Sequence, residues 1–346
     1  MERYIVVDNS CGWPNLTMTD DGDIILAAFN RPYHWNGEGE VDCYISNDDG
    51  FIFKYAGTPL LHKPGTAHGN VNCGLAHNGD YIALVGGWDG LPPEDIYRKQ
   101  PSIDITDSSK HHILFPEICR SSDKGKTFAH STLKYIPNGE IFPFNLYGNI
   151  IRLPDHGRLA TALFSMDYND RAWNRGNAYI VFSDDDGYTW NRSVEIAHGH
   201  YNETSIVLVD ERRILAFCRT FRQAERLDIY VSDDLGENWR FLDPVTTSGM
   251  IPGMAIKLLD NRLLLTFGIR CNGFLGVGVK ISEDGGENWG RIAMLAEFEG
   301  AADGGYPSTR QLADNTLLTA YYAGRCKDHT RYHVGMLHWR LDEFYN

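Results

Sequence analysis

Four arginines stand at comparable places in the sequence, each near the end of an apolar run that is typical of a β-strand. They are Arg31, Arg219, Arg270 and Arg325. A guanidinium group offers several donors in a fixed plane and therefore binds carboxylates and other oxygen-rich groups. In a chain with a formal net charge of -14, four such groups on one face indicate a local site for an anion or a polyhydroxylated ligand. The alternative is that each arginine pairs with a neighbouring acidic residue and serves only stability.

Groups that can act as acids, bases or stacking surfaces occupy similar places. At strand starts these are Trp13, His68, Asn70, Asn145, Glu203 and Tyr306, and at strand ends they are Trp88, Asp89 and Asp167. A phenol, carboxylates, an imidazole and indoles would then share one surface with the arginines. Such a set can bind a polar ligand and exchange protons with it.

Two internal repeats indicate which elements carry these residues. One is Ser-x-Asp-x-Gly-x-x-aromatic, which begins at Ser46, Ser121, Ser183, Ser232 and Ser282. The other is an apolar run, a polar turn and a second apolar run, in six copies that alternate with the first repeat. Ser and Asp side chains accept bonds from backbone N–H groups in tight turns, and Gly supplies a positive φ. Apolar runs rich in Ile, Val, Leu, Tyr and Phe predict β-strands.

These repeats predict an all-β fold. Each unit would be a four-stranded antiparallel blade, and six blades would form a six-bladed β-propeller with few exposed strand edges. Because the sixth unit ends after its third strand, we expect residues 3–8 to supply its outer strand and close the ring. First-strand starts and second-strand ends then share one rim, where the polar residues named above would meet. We expect residues 1–346 to form a single domain.

The Ser-x-Asp-x-Gly-x-x-aromatic repeat resembles the Asp box of bacterial neuraminidases, and the whole chain resembles the sialidase superfamily of six-bladed propellers. GGYPSTRQLADNTLL is similar to the family's last-blade stretch, and this resemblance implies that Tyr306 is the nucleophile. NETSIVLVDERRILAFCR is similar to the stretch that carries its paired glutamate, which implies Glu203, with Arg219 as a carboxylate-binding arginine. The resemblance also implies ligand-binding roles for Arg31 and Arg270. In the family, the Asp boxes are structural.

One stretch departs from the family's pattern at a ligand-binding position. The family's first carboxylate-binding arginine stands two residues before a proline, and here Cys11-Gly12-Trp13-Pro14 occupies the matching stretch. Gly12 therefore takes the place of that arginine, which removes one arm of a charge-assisted carboxylate clamp. Trp13 could instead stack on the face of a sugar.

The resemblance also implies which residue acts as nucleophile, which as base and which as acid. A Tyr phenol has an ordinary pKa of ~10 and is a poor nucleophile until a base takes its proton. Glu203 would be the base for Tyr306, and an acid on the loop after the second strand of the first blade would protonate the leaving oxygen. The family uses an aspartate there. In this chain Glu38 is nearest by spacing, with Glu40 and Asp42 close by.

The favoured interpretation is a glycoside hydrolase that releases a terminal sugar, neutral or acidic, from a glycan. Its catalytic residues would be Tyr306, Glu203 and Glu38. The ligand-binding residues would be Arg31, Arg219, Arg270, Trp13, His68, Asp89 and Asp167. One alternative is a carbohydrate-binding propeller without catalysis. Another is a lyase that acts on a uronic acid through His68 and Tyr306. We expect neither a metal nor a cofactor.

The net charge and the cysteine content limit which partners and which cellular compartment we expect. An acidic chain gains no counterion-release affinity, which disfavours nucleic acid and anionic membranes as partners and leaves carbohydrate as the expected ligand. The seven cysteines include no CxxC pair, which argues against a zinc ribbon and favours buried thiols in a reducing compartment. The first residues lack the apolar run of a secretory signal, so we expect a cytoplasmic protein.

Overall fold

The computed structural model describes residues 1–33, 37–89, 112–133, 144–166, 176–221, 224–271 and 273–345. These residues confirm the predicted all-β class, because nearly all regular structure in them is β-strand. The helical element among them is a 3-10 turn at Leu341–Glu343. No helix in the described part of the chain is long and apolar enough to cross a membrane.

The strands of the first half form three four-stranded antiparallel units. Unit 1 contains β2 (Asn15–Met18), β3 (Ile24–Phe29), β4 (Val41–Ser46) and β5 (Lys54–Gly57). Unit 2 contains β6 (Thr66–Leu75), β7 (Tyr81–Asp89), β8 (His112–Ser121) and β9 (Ala129–Thr132). Unit 3 contains β10 (Phe144–Arg152), β11 (Leu159–Met166), β12 (Gly176–Ser183) and β13 (Arg192–Ala197). A short parallel pairing of β10 with β6 joins units 2 and 3 into one eight-stranded sheet.

The second half adds three more units, and the last of them includes the N-terminal strand. Unit 4 contains β14 (Tyr201–Leu208), β15 (Ile214–Thr220), β16 (Leu227–Ser232) and β17 (Arg240–Pro244). Unit 5 contains β18 (Gly253–Lys257), β19 (Leu263–Cys271), β20 (Phe274–Ser282) and β21 (Ala293–Glu297). Unit 6 contains β22 (Glu299–Gln311), β23 (Leu317–Arg325), β24 (His333–Trp339) and β1 (Glu2–Asp8). The antiparallel pairing of β1 with β24 is the one that the sequence predicts.

Each unit packs an apolar face against the next unit along the chain. Ile25 and Val71 share the buried cluster between units 1 and 2, and equivalent clusters follow between each later pair. Unit 6 returns to unit 1, where Leu318 and Met336 pack with Leu16. The first strands also contact one another in the same order, from β2 through β6, β10, β14, β18 and β22 back to β2. The first strands of consecutive units are therefore neighbours.

The Ser-x-Asp-x-Gly segments form the turns between the third and fourth strands of units 1 to 5. In unit 5, the Ser282 hydroxyl donates to Asp284 Oδ1 at 2.9 Å and accepts the Gly286 N–H at 2.9 Å. Asp284 also accepts the backbone and side-chain N–H groups of Asn288 at 2.9 and 2.7 Å. Gly286 has φ +94°, and a Cβ there would lie 2.2 Å from Leu215 Cδ1 of unit 4. These turns therefore hold both their own strands and the junction with the preceding unit.

We predict that Asp284→Ala lowers the free energy of unfolding by about 1–2 kcal/mol, because several donors in the turn lose their acceptor. Urea unfolding measures this change. The matched control is Glu283→Ala, which removes an exposed carboxylate from the same turn and should change stability by less than about 0.5 kcal/mol.

The same pair of variants tests the charge state of the turn. Hydrogen bonds from the backbone and side chain of Asn288 hold the pKa of Asp284 below its ordinary value. A carboxyl group with a depressed folded pKa stabilises the protein above its unfolded pKa of ~3.9, and this stabilisation disappears as the pH falls through the folded pKa. The deficit of Asp284→Ala should therefore shrink in acid, and a deficit that stays constant would contradict the assignment.

Candidate active site

Four charged or phenolic side chains converge from units 4, 5 and 6. Glu203 is near the start of β14 and Arg219 is near the end of β15; these strands are antiparallel, so the two positions are neighbours. Arg270 is near the end of β19, and Tyr306 lies within β22, which contacts β19. The sequence places Tyr306 at the start of a first strand. In the structure β22 begins earlier, at Glu299.

The Glu203 carboxylate joins the phenol and one guanidinium group. The Tyr306 hydroxyl donates to Glu203 Oε1 at 2.5 Å, and Arg219 Nη1 donates to Glu203 Oε2. The same Arg219 nitrogen lies 3.4 Å from the Tyr306 oxygen and donates to it. Each carboxylate oxygen therefore has a donor from a different strand, and the phenolic proton already points at a base.

Burial and charge determine the protonation states in this group. Tyr306 is only 3% exposed, and burial raises its pKa above the ordinary range, with a further contribution from the Glu203 charge. Burial alone would lower the pKa of Arg219, but the charge of Glu203 raises it overall. At neutral pH the site therefore holds a neutral phenol beside a charged arginine.

The backbone at Tyr306 is unusual. Tyr306 has φ +48°. Residues other than Gly rarely adopt a positive φ, and doing so costs about 1–3 kcal/mol. The preceding Gly305 has φ +92°, and a Cβ on it would lie 2.8 Å from Gly268 Cα in unit 5. The pairing of β22 with β23 also shifts register between Gly305 and Ser308. This irregularity directs the phenol toward Glu203 while the two backbones approach closely.

Arg270 reaches the same group from unit 5. Its Nε and Nη2 donate to the Gly304 carbonyl at 3.2 and 2.9 Å, and its guanidinium carbon lies 5.1 Å from the centre of the Tyr306 ring. Burial would lower the pKa of Arg270, but Tyr306 and Tyr322 raise it overall. Arg270 therefore keeps its charge while the backbone and an aromatic face fix its orientation.

Aromatic rings enclose the phenol. Trp13 and Tyr147 meet the Tyr306 ring edge-on, with centroids 6.2 and 5.6 Å away, and Tyr322 lies 5.6 Å away on a tilted plane. Trp13 is 8% exposed and also contacts Trp88 edge-on at 6.2 Å. Little of the Trp13 ring is therefore left for the sugar stacking that the sequence suggests.

Some residues of this neighbourhood are missed by the sequence analysis. Asp303 accepts the hydroxyls of Tyr322 and Tyr332 at 2.6 and 2.7 Å, next to the Tyr306 ring. Tyr147 lies two positions after Asn145, near the start of a first strand, and Tyr322 lies three positions before Arg325, near the end of a second strand. Extending the search by a few positions from strand starts and strand ends could have found both. Asp303 has no such signal, because it lies within the irregular start of β22.

The unit 1 side of the site differs from the expected carboxylate clamp. Gly12 has φ +142°, and a Cβ there would lie 3.1 Å from Phe29 Cβ, so a side chain at this position would crowd Phe29. Arg31 Nε donates to the Glu38 carbonyl at 3.0 Å. The Glu38 carboxylate accepts the Gly65 N–H at 2.7 Å, and none of its contacts among the described residues is with Tyr306 or Glu203.

Glu40 and Asp42, the other candidates for the acid, have partners of their own. Glu40 pairs with His62 Nδ1. Asp42 accepts bonds from Asn30 Nδ2 at 3.0 Å and from the Thr58 hydroxyl at 2.6 Å. Their carboxylates therefore support the fold of unit 1, which leaves Glu38 as the exposed acidic group on this loop, with 54% of its side chain accessible.

The remaining expected residues fall into different settings. His68 is buried, its backbone N–H donates to Gly39, and burial lowers its pKa to about 4, which keeps the ring neutral at neutral pH. Asp89 ends β7, opposite Thr66. Asp167 lies outside the described residues. Arg325 pairs with Glu299 at 3.7 Å on the surface, so it serves as an ion pair between strands.

Within the described ranges, no group of three or more His, Cys, Asp or Glu side chains is arranged to hold a metal ion. All seven cysteines are free thiols, and five of them are buried.

An all-β fold of four-stranded units, five of which carry a Ser-x-Asp-x-Gly turn, defines a protein built from repeated β-units. The model of the BNR repeat-like domain family matches residues 98–319, and the chain belongs to that family. A search of curated proteins gave no significant match.

Solved structures share the fold. A protein of unknown function from Dyadobacter fermentans is 22% identical, with 97% of each chain covered and a TM-score of 0.77. The Hadza microbial sialidase Hz136 is 17% identical over 99% of this chain and 69% of its own, with a TM-score of 0.72. Trypanosoma rangeli sialidase in complex with the inhibitor DANA is 17% identical, with a TM-score of 0.68. That match covers 96% of this chain but only 55% of the trypanosomal one.

We predict that Arg219→Met lowers the free energy of unfolding by about 3–5 kcal/mol, because it leaves Glu203 buried without its counter-charge. The two side chains are only 11% and 12% exposed. The control is Arg325→Met, which breaks an ion pair whose side chains are 54% and 55% exposed and should cost less than about 1 kcal/mol. Urea unfolding of both variants measures the difference, and equal losses would contradict the burial argument.

Proposed function

We propose that this protein is a glycoside hydrolase that releases a terminal sugar from a glycan, with Tyr306 and Glu203 as its nucleophile couple. The observation that carries the proposal is the 2.5 Å hydrogen bond from the Tyr306 hydroxyl to Glu203, with Arg219 on the other carboxylate oxygen. A phenol needs a base to become a nucleophile, and the base is in place.

The reaction would proceed in two displacements. Glu203 takes the phenolic proton as Tyr306 Oη attacks the anomeric carbon, and the bond from that carbon to the leaving oxygen breaks. An acid supplies the proton that the leaving oxygen needs. Water then attacks the anomeric carbon and gives one proton to the carboxylate that the acid became in the first step. The bond from the anomeric carbon to Tyr306 Oη breaks, and the proton on Glu203 returns to the phenolate. A neutral nucleophile in place of a carboxylate avoids repulsion if the sugar is acidic.

Glu38 is our proposed general acid. It lies on the loop between β3 and β4, and its carboxyl group is exposed. The carboxylates of Glu40 and Asp42, by contrast, bind His62 and Asn30. The backbone contact from His68 to Gly39 ties this loop to unit 2. For Glu38 to act, its side chain would need to leave Gly65 and turn toward the leaving oxygen.

Arg219, Arg270 and Arg31 are the proposed sugar-binding cations. With Gly12 in place of a third clamp arginine, the site offers two guanidinium groups beside Tyr306. Two guanidinium groups can bind the hydroxyls of a neutral sugar. They can also bind a carboxylate, although more weakly than three arginines would. The substrates to be tested therefore include both neutral and acidic sugars.

The same proposal includes a closed six-bladed propeller as a single domain of residues 1–346. Its support is the order of contacts among the six units, in which unit 6 packs against unit 1, together with the pairing of β1 with β24. A closed ring would place the ends of β15 and β19 on the rim that carries the start of β14.

A second candidate is a carbohydrate-binding protein without catalysis. Two observations favour it: Gly12 removes one arm of the clamp, and Tyr306 is almost completely covered by Trp13, Tyr147 and Tyr322. This candidate predicts that calorimetry detects sugar binding while product analysis detects no cleavage.

We predict that Tyr306→Phe reduces kcat/KM by about 10³-fold or more and that Glu203→Gln reduces it by about 10²–10⁴-fold. The measurement is hydrolysis of aryl glycosides of neutral sugars, sialic acids and uronic acids. The control is Tyr321→Phe, which removes a buried hydroxyl elsewhere in unit 6 and should keep wild-type activity.

Two results would overturn this assignment. Equal rates for wild type and Tyr306→Phe on every substrate that is cleaved would remove the phenol from the mechanism. Release of an unsaturated product that absorbs ultraviolet light from a uronic acid substrate would replace hydrolysis by elimination, with His68 and Tyr306 as the groups to examine.

A further inference from the structure

A small cavity lies beside Glu203, at the centre of the molecule. The first strands of five units line it, through Asn15 of β2, Asn70 of β6, Tyr147 of β10, Glu203 of β14 and Met254 of β18. The space open to the centre of a water molecule there is about 10 Å³, which suits about one water. Tyr306 and Arg219 do not line it, so the cavity adjoins the contact described above only through Glu203.

Two polar atoms of the cavity residues lack a partner among the described residues. The Tyr147 hydroxyl and Asn15 Oδ1 are buried and make no hydrogen bond to any of them. Asn15 is held in place because its Nδ2 donates to the Gly148 carbonyl at 2.5 Å, across the centre from β2 to β10. A buried polar group without a partner costs about 1–3 kcal/mol, and in native proteins such groups are usually satisfied by ordered water.

Glu203 has hydrogen-bonding capacity to spare. A carboxylate can accept about four bonds, and the contacts with Tyr306 and Arg219 use one site on each oxygen. The Tyr147 ring packs edge-on against the Tyr306 ring, and the Glu203 charge is close enough to raise the pKa of Tyr147, after burial itself. The unpartnered hydroxyl is therefore near the carboxylate but does not bond to it directly.

We propose that one ordered water molecule occupies this cavity, accepts the Tyr147 hydroxyl proton in a hydrogen bond, and donates to Asn15 Oδ1 and to the Glu203 carboxylate. These three bonds use one lone pair and both hydrogens of the water, and three is the usual number for a buried water. Tyr147 is then a positioning residue that acts on Glu203 through the water. The catalytic consequence, although not the water site itself, rests on the proposed function.

Further polar atoms support hydration along the same strands. Thr17 Oγ1, Asn72 Oδ1 and Asn149 Oδ1 are also buried and have no partner in the part of the chain that the structure describes. Each lies two residues beyond a cavity residue on β2, β6 or β10. Polar atoms of this kind favour ordered water, whereas a dry cavity would be lined by apolar side chains.

The water bond would help to fix the orientation of the Glu203 carboxylate. Arg219 from β15 and Tyr306 from β22 already donate to its two oxygens, and the water would add a third donor from the cavity side. Loss of the Tyr147 hydroxyl would weaken or displace the water, and the carboxylate would then lose that donor.

The first test is structural and needs no substrate. High-resolution crystal structures of the wild type and of Tyr147→Phe should show the water in the wild type, within hydrogen-bonding distance of Tyr147, Asn15 and Glu203. In the variant the water should be absent or displaced. A dry cavity in the wild type, or a direct protein partner for the Tyr147 hydroxyl, would overturn the proposal.

The second test observes Glu203 directly. In NMR spectra of protein with ¹³C-labelled glutamate at one neutral pH, the Glu203 carboxyl signal is assigned by its loss in Glu203→Gln. That signal should move in Tyr147→Phe, because a hydrogen bond to the carboxylate is lost. Tyr321→Phe is the matched control, because it removes another buried tyrosine hydroxyl away from the cavity and should leave the Glu203 signal in place. An unchanged Glu203 signal in Tyr147→Phe would overturn the positioning role.

A kinetic comparison separates this proposal from the proposed function. If the protein hydrolyses glycosides, Tyr147→Phe should lower kcat by about 3- to 10-fold with little change in KM, because the proposed base is less well positioned. If no glycoside is hydrolysed but the water and the change in the Glu203 signal are observed, the proposed function fails while the water site stands.

Discussion

The buried contact among the Glu203 carboxylate, the Arg219 guanidinium and the Tyr306 hydroxyl constrains the rest of the site. Taking a carboxylate and a guanidinium group out of water costs several kcal/mol for each ion, and only good geometry with further hydrogen bonds offsets that cost. Here both carboxylate oxygens have donors, and the phenol serves as donor to one ion and acceptor for the other. The contact joins unit 4 to unit 6 and so depends on unit 5 between them.

The repeated four-stranded units position these three side chains. Apolar clusters lie between consecutive units, and the Asp-box turns close the outer strands with side-chain bonds. A rigid stack of this kind can tolerate the positive φ of Tyr306 and the close approach of Gly305 to Gly268, because the surrounding sheets fix both backbones. The irregular backbone appears where the chemistry is expected, whereas the Asp boxes follow the regular repeat.

Units 1 and 6 differ from the pattern that the resemblance to sialidases implies. Beside unit 1, Gly12 lies against Phe29 and Trp13 packs on the Tyr306 ring. In unit 6, the Asp303 carboxylate accepts the hydroxyls of Tyr322 and Tyr332. Arg270 is oriented by Gly304 and by the phenol ring. The geometry of the phenol–carboxylate couple thus agrees with the pattern that the resemblance implies, while aromatic rings surround the couple in this chain.

The sequence by itself determined the all-β class, the six four-stranded units and the pairing of the N-terminal strand. The grouping of Tyr306 and Glu203 with Arg219 and Arg270 came from the resemblance to a family, and the structure brings these side chains together. Turn residues and apolar periodicity act over a few positions, so they can be read locally. Only the tertiary structure decided that Glu203 and Tyr306, 103 positions apart, share a proton, that Trp13 is covered, and that Asp303 and Tyr147 adjoin the site. Those properties depend on how distant units pack and on which groups lose contact with water, and no local pattern records either.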